Sequence, residues 1–316
     1  MIGFGSINLP YPTGACAPSA PASEAGLVKE YKAVAPDVRL DEAKAIDLVG
    51  AERYAHWLAR IQGHRQTCIA FAVSACIELL HAGGGNDFPP LSPQFLYWHM
   101  RMRGPAGNAP PGWELGATKL SHARDVLAQR GICSWTTCPY PDQLLPGEPL
   151  EGPPPEEHAT TEAARNYIGN SFYFEPDQDS RESGVARMIY KQLADGRPVA
   201  IAIPVFYSTA DLLETNWDNP TTTNSGQVVD PADGWSLRGP DSPGAPGHAV
   251  CIVGFQPDPG EATGGWFIFR NSRGLNWAAH VDPDDVKPQV PARGYGTISA
   301  TYVEQYCWEI LSPSLS

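Results

Sequence analysis

The sequence predicts an α+β chain of two lobes, a helical first half followed by a strand-rich second half. Three observations carry that expectation. The run Cys68–Ala82, CIAFAVSACIELLHA, is apolar on most faces and is stopped by Gly83-Gly84-Gly85, as a buried helix would be. Beyond Pro198 the text turns into short apolar or alternating runs separated by Pro, Gly and Asp, which read as strands. Between the two regimes lies Pro141–His158, PDQLLPGEPLEGPPPEEH, a Pro/Glu-rich loop that serves as the seam. Helices first and strands afterwards is the order of an α+β architecture.

Each element follows in turn. Residues 1–40 are rich in Pro, Ala, Gly and Ser, with one short helical stretch around Glu24–Ala33, and read as an arm rather than a domain. Asp41–Ile61 is helix-compatible. Thr67 stands as the N-cap of the Cys68–Ala82 helix, and the glycines end it. Further helices are expected over Leu91–Met102, after Pro89-Pro90, over Gly116–Arg130, closed by Gly131, and over Glu182–Ala194, closed by Gly196-Arg197-Pro198. The strands are Val199–Phe206, His248–Phe255, Trp266–Arg270 and Gly296–Tyr302. Asn216–Gly247 is a long polar insertion, and such loops in compact folds are usually functional. The organisation expected is an arm (1–40) and one domain (41–316), helical over about 41–140 and β-rich over about 159–316.

Composition narrows the function classes. With 42% hydrophobic residues in 316, the chain buries a core, and 31 Gly with 32 Pro call for many turns. The balance of 22 basic against 35 acidic side chains, net -13, repels phosphate backbones and anionic lipid, which argues against nucleic acid and membrane surfaces as partners. No segment approaches the ~20 apolar residues of a membrane helix. The first twenty residues lack a basic n-region and an apolar run, so the expected location is the cytoplasm or outside the cell by a route without a secretory signal. Seven cysteines without a CxxC pair leave the disulfide pattern open, and the x4 spacing of Cys133 and Cys138 is commoner in loops than in zinc sites, so no metal and no cofactor is expected.

Four residues carry candidate chemistry. Cys68 opens the buried helix, where unpaired backbone amides and the helix dipole stabilise a thiolate. Alone it would be an ordinary core cysteine, since free Cys is among the most buried residue types. Gln62 lies just upstream, and its amide together with the Cys68 backbone N–H would form a two-donor oxyanion hole. Gly247-His248-Ala249-Val250 puts a histidine at the mouth of an apolar strand, and Asn271 ends the next strand. A Cys, a His and an orienting Asn are the parts of a thiol triad.

Taken in order, Gln62-Gly63 through Cys68-Ile69-Ala70-Phe71, Leu91-Ser92-Pro93-Gln94, the Gly116 to Pro139-Tyr140 block, Gly247-His248-Ala249-Val250, Val253-Gly254-Phe255 and Asn271-Ser272-Arg273-Gly274 with Trp277 resemble the papain family of cysteine peptidases. The resemblance covers roughly residues 45–310. It implies a helical lobe and an antiparallel, β-barrel-like lobe with the active site in the cleft between them. It also implies Cys68 as nucleophile, His248 as general acid/base, Asn271 as its orienting group and Gln62 as oxyanion donor. A thiolate–imidazolium pair of this kind brings the thiol pKa down to ~3–4. The expected activity is peptide hydrolysis through an acyl-enzyme on a peptide or protein substrate. A thiol acyltransferase or amidase on the same scaffold, and a silent peptide-binding module, are the alternatives.

The chain departs from the family at several points. Arg65 stands where the family has a second cysteine, so that disulfide cannot form. Gln66-Thr67 replace a smaller stretch, and Gln66 is expected to narrow the substrate groove. Arg273 replaces a tryptophan that shields the His–Asn hydrogen bond. It is expected either to stack over the imidazole or to turn outward and leave the pair wetter, giving weaker orientation of His248 or a preference for acidic groups after the scissile bond; the alternative is that it is solvated while Trp277 does the shielding. The Cys68-to-His248 interval is 180 residues, against ~130–150 in the family. The surplus is assigned to loops bordering the cleft. Residues 1–40 are expected to lie along that cleft or to act as a strap.

Overall fold

A computed structural model of the chain describes residues 40, 43–102, 113–166, 168–176, 184–211, 214–231, 234–237, 247–279 and 290–315. The expected arm, apart from Leu40, lies outside these residues, as does its helical stretch.

The helices are α1 (Cys68–Ala82), α2 (Pro93–Met102), α3 (Leu120–Arg130), α4 (Glu157–Ala163), α5 (Val185–Ala194), α6 (Pro220–Ser225) and α7 (Ala300–Tyr306). The main strands are β1 (Ile46–Asp47), β2 (Asn170–Phe174), β3 (Val199–Pro204), β6 (Gly247–Pro257), β7 (Gly265–Arg270), β8 (Tyr295–Ser299) and β9 (Glu309–Ser314), with a separate two-stranded pair, β4 (Tyr207–Ser208) and β5 (Trp235–Ser236). The seven main strands form one antiparallel sheet in the order β2-β9-β3-β6-β7-β8, with β1 also on β6. The α+β expectation holds. Among the described residues the sheet is open, not closed into a barrel.

The sheet is buried on both faces, and its sequence shows why. In Val199-Ala200-Ile201-Ala202-Ile203 the branched residues point to one side and the alanines to the other. Ala200 and Ala202, with Ala249 and Cys251 of β6, share a cluster with α1, whose helix needs small residues to approach closely. Ile201, Ile203, Val250 and Ile252 belong to the opposite cluster, with α5 and α7. Every side chain of α1 from Cys68 to Leu79 is buried, as its all-round apolarity predicts.

Over the described part of the helix-compatible stretch Asp41–Ile61 no α-helix forms; its helical content is one 3-10 turn, Ala51–Arg53. Asp47 Oδ1 accepts from the N–H groups of Val49 and Gly50, both at 3.0 Å, and Gly50 sits at φ +86. That side-chain turn competes with helix for the same backbone, while Ile46 and Asp47 pair with Phe255 and Gly254. Likewise the strand expected over Gly296–Tyr302 stops at Ser299, whose hydroxyl accepts from Tyr302 N at 2.9 Å and starts α7. Sequence reading also missed α4, α6, β2 and β9. Thr67 does sit at the head of α1, but its hydroxyl caps nothing there; it bonds Tyr140 Oη at 2.7 Å instead.

Candidate active site

Register places the histidine and the asparagine together. Cys251 of β6 stands opposite Arg270 of β7, so Asn271, one residue further, falls beside Val250 on the face that also carries His248. The resulting bond is short: His248 Nε2 to Asn271 Oδ1, 2.8 Å. Asn271 Oδ1 also accepts from Ser272 N at 2.8 Å, which identifies that atom as the amide oxygen. An acceptor opposite Nε2 puts the neutral imidazole's proton on Nε2. Nδ1 is then the lone-pair nitrogen, buried and without a hydrogen bond among the described residues.

Cys68 is the first residue of α1, and α1 lies against β6. Two ties set the direction of that packing. Deep in the core, Cys76 Sγ and Cys251 Sγ are 3.4 Å apart. From there Cys68 is ~12 Å back along the helix and His248 is ~10 Å back along the strand. At the other end, Tyr140 Oη donates to Gln62 O and contacts Thr67 Oγ1, while Gln62 N donates to Ser272 O at 2.8 Å. Those bonds hold the residues just before Cys68 against the residue just after Asn271. The head of α1 and the mouth of β6 therefore share one end of the molecule.

Gln62 is 4% exposed and its amide is fixed at both ends. Its Oε1 accepts from Ser272 Oγ at 2.5 Å, and Nε2 donates to Arg65 O at 2.9 Å. One Nε2 hydrogen is thereby used and the second remains for another acceptor. Cys68 itself is 0% exposed and His248 1%. No disulfide links the described cysteines.

The three remaining sequence candidates fare differently. Gln66 is half-buried and lines a cavity of about 500 Å³ with Tyr97, Leu115, Asp142, Leu144 and Leu150. Arg273 is only 4% exposed, so it is not solvated; its Nη1 donates to the carbonyl of Trp217 at 3.2 Å. Trp277 lies in the core against Phe269, ring centroids 5.8 Å apart, and is not the indole on the histidine. That indole is Trp217, packed edge-on to His248 at 4.9 Å and wholly buried. Sequence reasoning missed it. The available signal was a single tryptophan within the polar text Thr215-Asn216-Trp217-Asp218-Asn219-Pro220.

Arg65 ties the Pro/Glu-rich loop down. Its guanidinium donates to Gln94 Oε1 (2.7 Å), Pro141 O (3.0 Å) and Glu151 O (3.0 Å), and lies over the Tyr140 ring. The Pro/Glu-rich loop is thus pinned to the helical lobe beside the cavity.

Neither protein-family profiles nor curated proteins match this sequence. Solved structures do match it. Xylellain, a cysteine protease from Xylella fastidiosa, superposes with a TM-score of 0.61 at 18% identity, covering 99% of this chain and 100% of that one. The fold is papain-like. Digestive procathepsin L 3 of Tenebrio molitor larval midgut matches with a TM-score of 0.54 at 17% identity over 96% of this chain and 77% of that chain. The proform of the ragweed pollen cysteine protease Amb a 11 gives 0.54 at 14% identity, over 95% and 71%. On this papain-like scaffold no described helix is long and apolar enough to cross a membrane.

Proposed function

We propose that the chain is a cysteine peptidase with Cys68 as nucleophile, His248 as general acid/base, Asn271 as its orienting group and Gln62 as oxyanion donor. The observation that carries the reading is the His248 Nε2–Asn271 Oδ1 bond of 2.8 Å on a fold shared with cysteine proteases. It leaves Nδ1 as the nitrogen that exchanges a proton with the thiol.

The chemistry follows from those roles. The Cys68 proton moves to His248 Nδ1, and the thiolate sulfur bonds to the substrate carbonyl carbon. The carbonyl oxygen becomes an oxyanion held by the Cys68 backbone N–H and the second Nε2 hydrogen of Gln62. As the C–N bond breaks, Nδ1 gives its proton to the leaving amine. Water then loses a proton to Nδ1 and attacks the thioester, releasing the acid and restoring the thiol. The cavity beside Gln66 has a mixed lining, with Leu115, Leu144, Leu150 and Tyr97 apolar and His64, Arg65, Asp142 and Gln143 polar, and suits an amphipathic substrate side chain. With no exposed surface on Cys68, the surrounding groups must yield as the substrate enters.

The test is labelling with a peptidyl epoxide at neutral pH, read by intact mass and peptide mapping, beside turnover of a fluorogenic peptide panel. Modification at Cys68 alone, lost in Cys68→Ala, together with hydrolysis is the expected result. Acyl transfer to an added amine in preference to water would instead identify an acyltransferase. A folded, reduced protein that neither labels nor cleaves would refute the enzyme reading and leave a peptide-binding scaffold.

A further inference from the structure

We infer that Trp217 and Arg273 act together as positioning residues for His248: the indole covers the His248–Asn271 hydrogen bond, and the guanidinium holds the indole in place. The inference rests on the peptidase reading only for its kinetic consequence.

The contacts converge on one short segment. Trp217 is 0% exposed, and its ring meets His248 at 4.9 Å with an interplanar angle of 69°. It also meets Phe269, on the strand leading into Asn271, at 5.5 Å. One indole therefore touches the histidine and the strand that delivers its partner. Covering matters because water competes for Asn271 Oδ1 and for the Nε2 proton, and excluding it strengthens the bond.

A surface insertion does not ordinarily hold an indole in register, and here the backbone around Trp217 is clamped from both sides. Asn216 Oδ1 accepts from Phe206 N at 2.8 Å, and its Nδ2 donates to Val229 O and to Tyr302 Oη. Asn219 Oδ1 accepts from Thr222 N at 2.9 Å, with Pro220 next in chain, and so starts α6. The remaining tie comes from the site itself: Arg273, two residues after Asn271, donates to the Trp217 carbonyl. The aromatic cover thus comes from the insertion, and the residue beside the asparagine serves as its anchor. An Arg suits that role because its planar donors reach a carbonyl from a buried position without bending the strand end.

This arrangement predicts a coupling that a packing role would not produce. In ¹⁵N-histidine-labelled protein the His248 Nε2–H resonance should be observable and slow to exchange with water. Trp217→Ala should speed that exchange at least ~10-fold while the buried amides of β6, such as Ile252, keep their protection. Trp217→Phe should retain slow exchange, and Arg273→Ala should lose it. In the peptidase assay Trp217→Ala should lower kcat by up to ~10²-fold, the scale of a misplaced catalytic group, with KM little changed. Nε2–H exchange unchanged in Trp217→Ala, or rising in parallel with the β6 amides, would overturn the inference. Should Trp217→Ala fail to fold, Arg273→Ala decides the matter, and protection retained there overturns it. The exchange measurement needs no turnover. A wild-type chain that neither labels nor cleaves, yet shows the expected exchange pattern, would sink the peptidase reading and leave the positioning role standing.

Discussion

Glu78 joins the two halves of the candidate site, and its removal is the most demanding test of how they are held. The carboxylate lies on α1, ten residues after Cys68, and is 1% exposed. It accepts from Trp57 Nε1 and from Leu91 N, each at 2.9 Å, and from Arg60 Nη2. Arg270, the residue before Asn271, places Nη1 3.7 Å from it, and that guanidinium is 4% exposed. Burial pulls Arg60 down and Glu78 draws it back up, and the net result is still about 10, so the pair sits in a poorly solvated place. Glu78→Ala takes the carboxylate from two arginines, which keep only the carbonyls of Leu91 and Leu58, and orphans two further donors, Trp57 Nε1 and Leu91 N. Breaking a buried pair costs ~3–5 kcal/mol, and an orphaned buried donor adds ~1–3 kcal/mol before relaxation. Allowing for water entering the gap, the expected loss is ~4–7 kcal/mol against the ~5–15 kcal/mol of a typical domain. At ~2–4 °C per kcal/mol for a chain of this size class, Tm should fall by roughly 10–20 °C in calorimetry at pH 7. The loss should persist in 1 M salt, because a dry pair is little screened. Asp195→Asn is the control. That carboxylate pairs with Lys191 and Arg197 at the surface, and its loss should leave Tm where it is. A drop below ~3 °C for Glu78→Ala would mean the hub contributes far less than its geometry requires.

Three further outcomes follow from the same structure. Arg65→Lys should raise proteolytic nicking within residues 141–153 several-fold at unchanged global Tm, since one ammonium cannot serve the separated acceptors Gln94, Pro141 and Glu151; equal nicking rates would disprove the strap. Gly63→Ala should destabilise by ~2–4 kcal/mol and disturb Gln62, because Gly63 holds φ +61 and an added Cβ would stand 2.3 Å from the Asp142 carbonyl oxygen; denaturant midpoints matching the parent would contradict that contact. Asp230→Asn probes pH linkage. Burial pushes Asp230 up to about 6 despite its Ser299 partner, so folding takes up a proton there, and the stability this supplies is present below ~4 and lost as pH rises through 6. His99 opposes it: burial, aided by Arg130, pulls it down to about 4, and stability is lost as pH falls from ~6.5 to 4. The variant should therefore gain on the parent by up to ~3 kcal/mol between pH 4 and 7, read from urea midpoints; a pH-independent difference would refute the linkage.

Much of this molecule is legible in its text because the relevant forces are local. The apolar run Cys68–Ala82 and its triple glycine mark α1 at the observed bounds, and β7 begins one residue earlier than the text suggests. Alternation in Val199–Ile203 and the turn residues around each strand carry the α+β pattern without coordinates. Local text was weaker where side chains compete with the backbone. Asp47 turned a helix-compatible stretch into a strand and a turn, and Ser299 converted the end of a strand into a helix start. At the site, the sequence by itself determined the candidate Cys, His, Asn and Gln, since their neighbours in the chain share recognisable spacing. Only the tertiary structure decided what surrounds them. Trp217 reaches His248 across 31 residues of sequence, Arg65 hydrogen-bonds a distant loop, and Glu78 meets Arg270 from the opposite half. Such contacts depend on register and on which face each residue occupies. Those are set by the packing of whole elements and leave no periodic trace in the sequence.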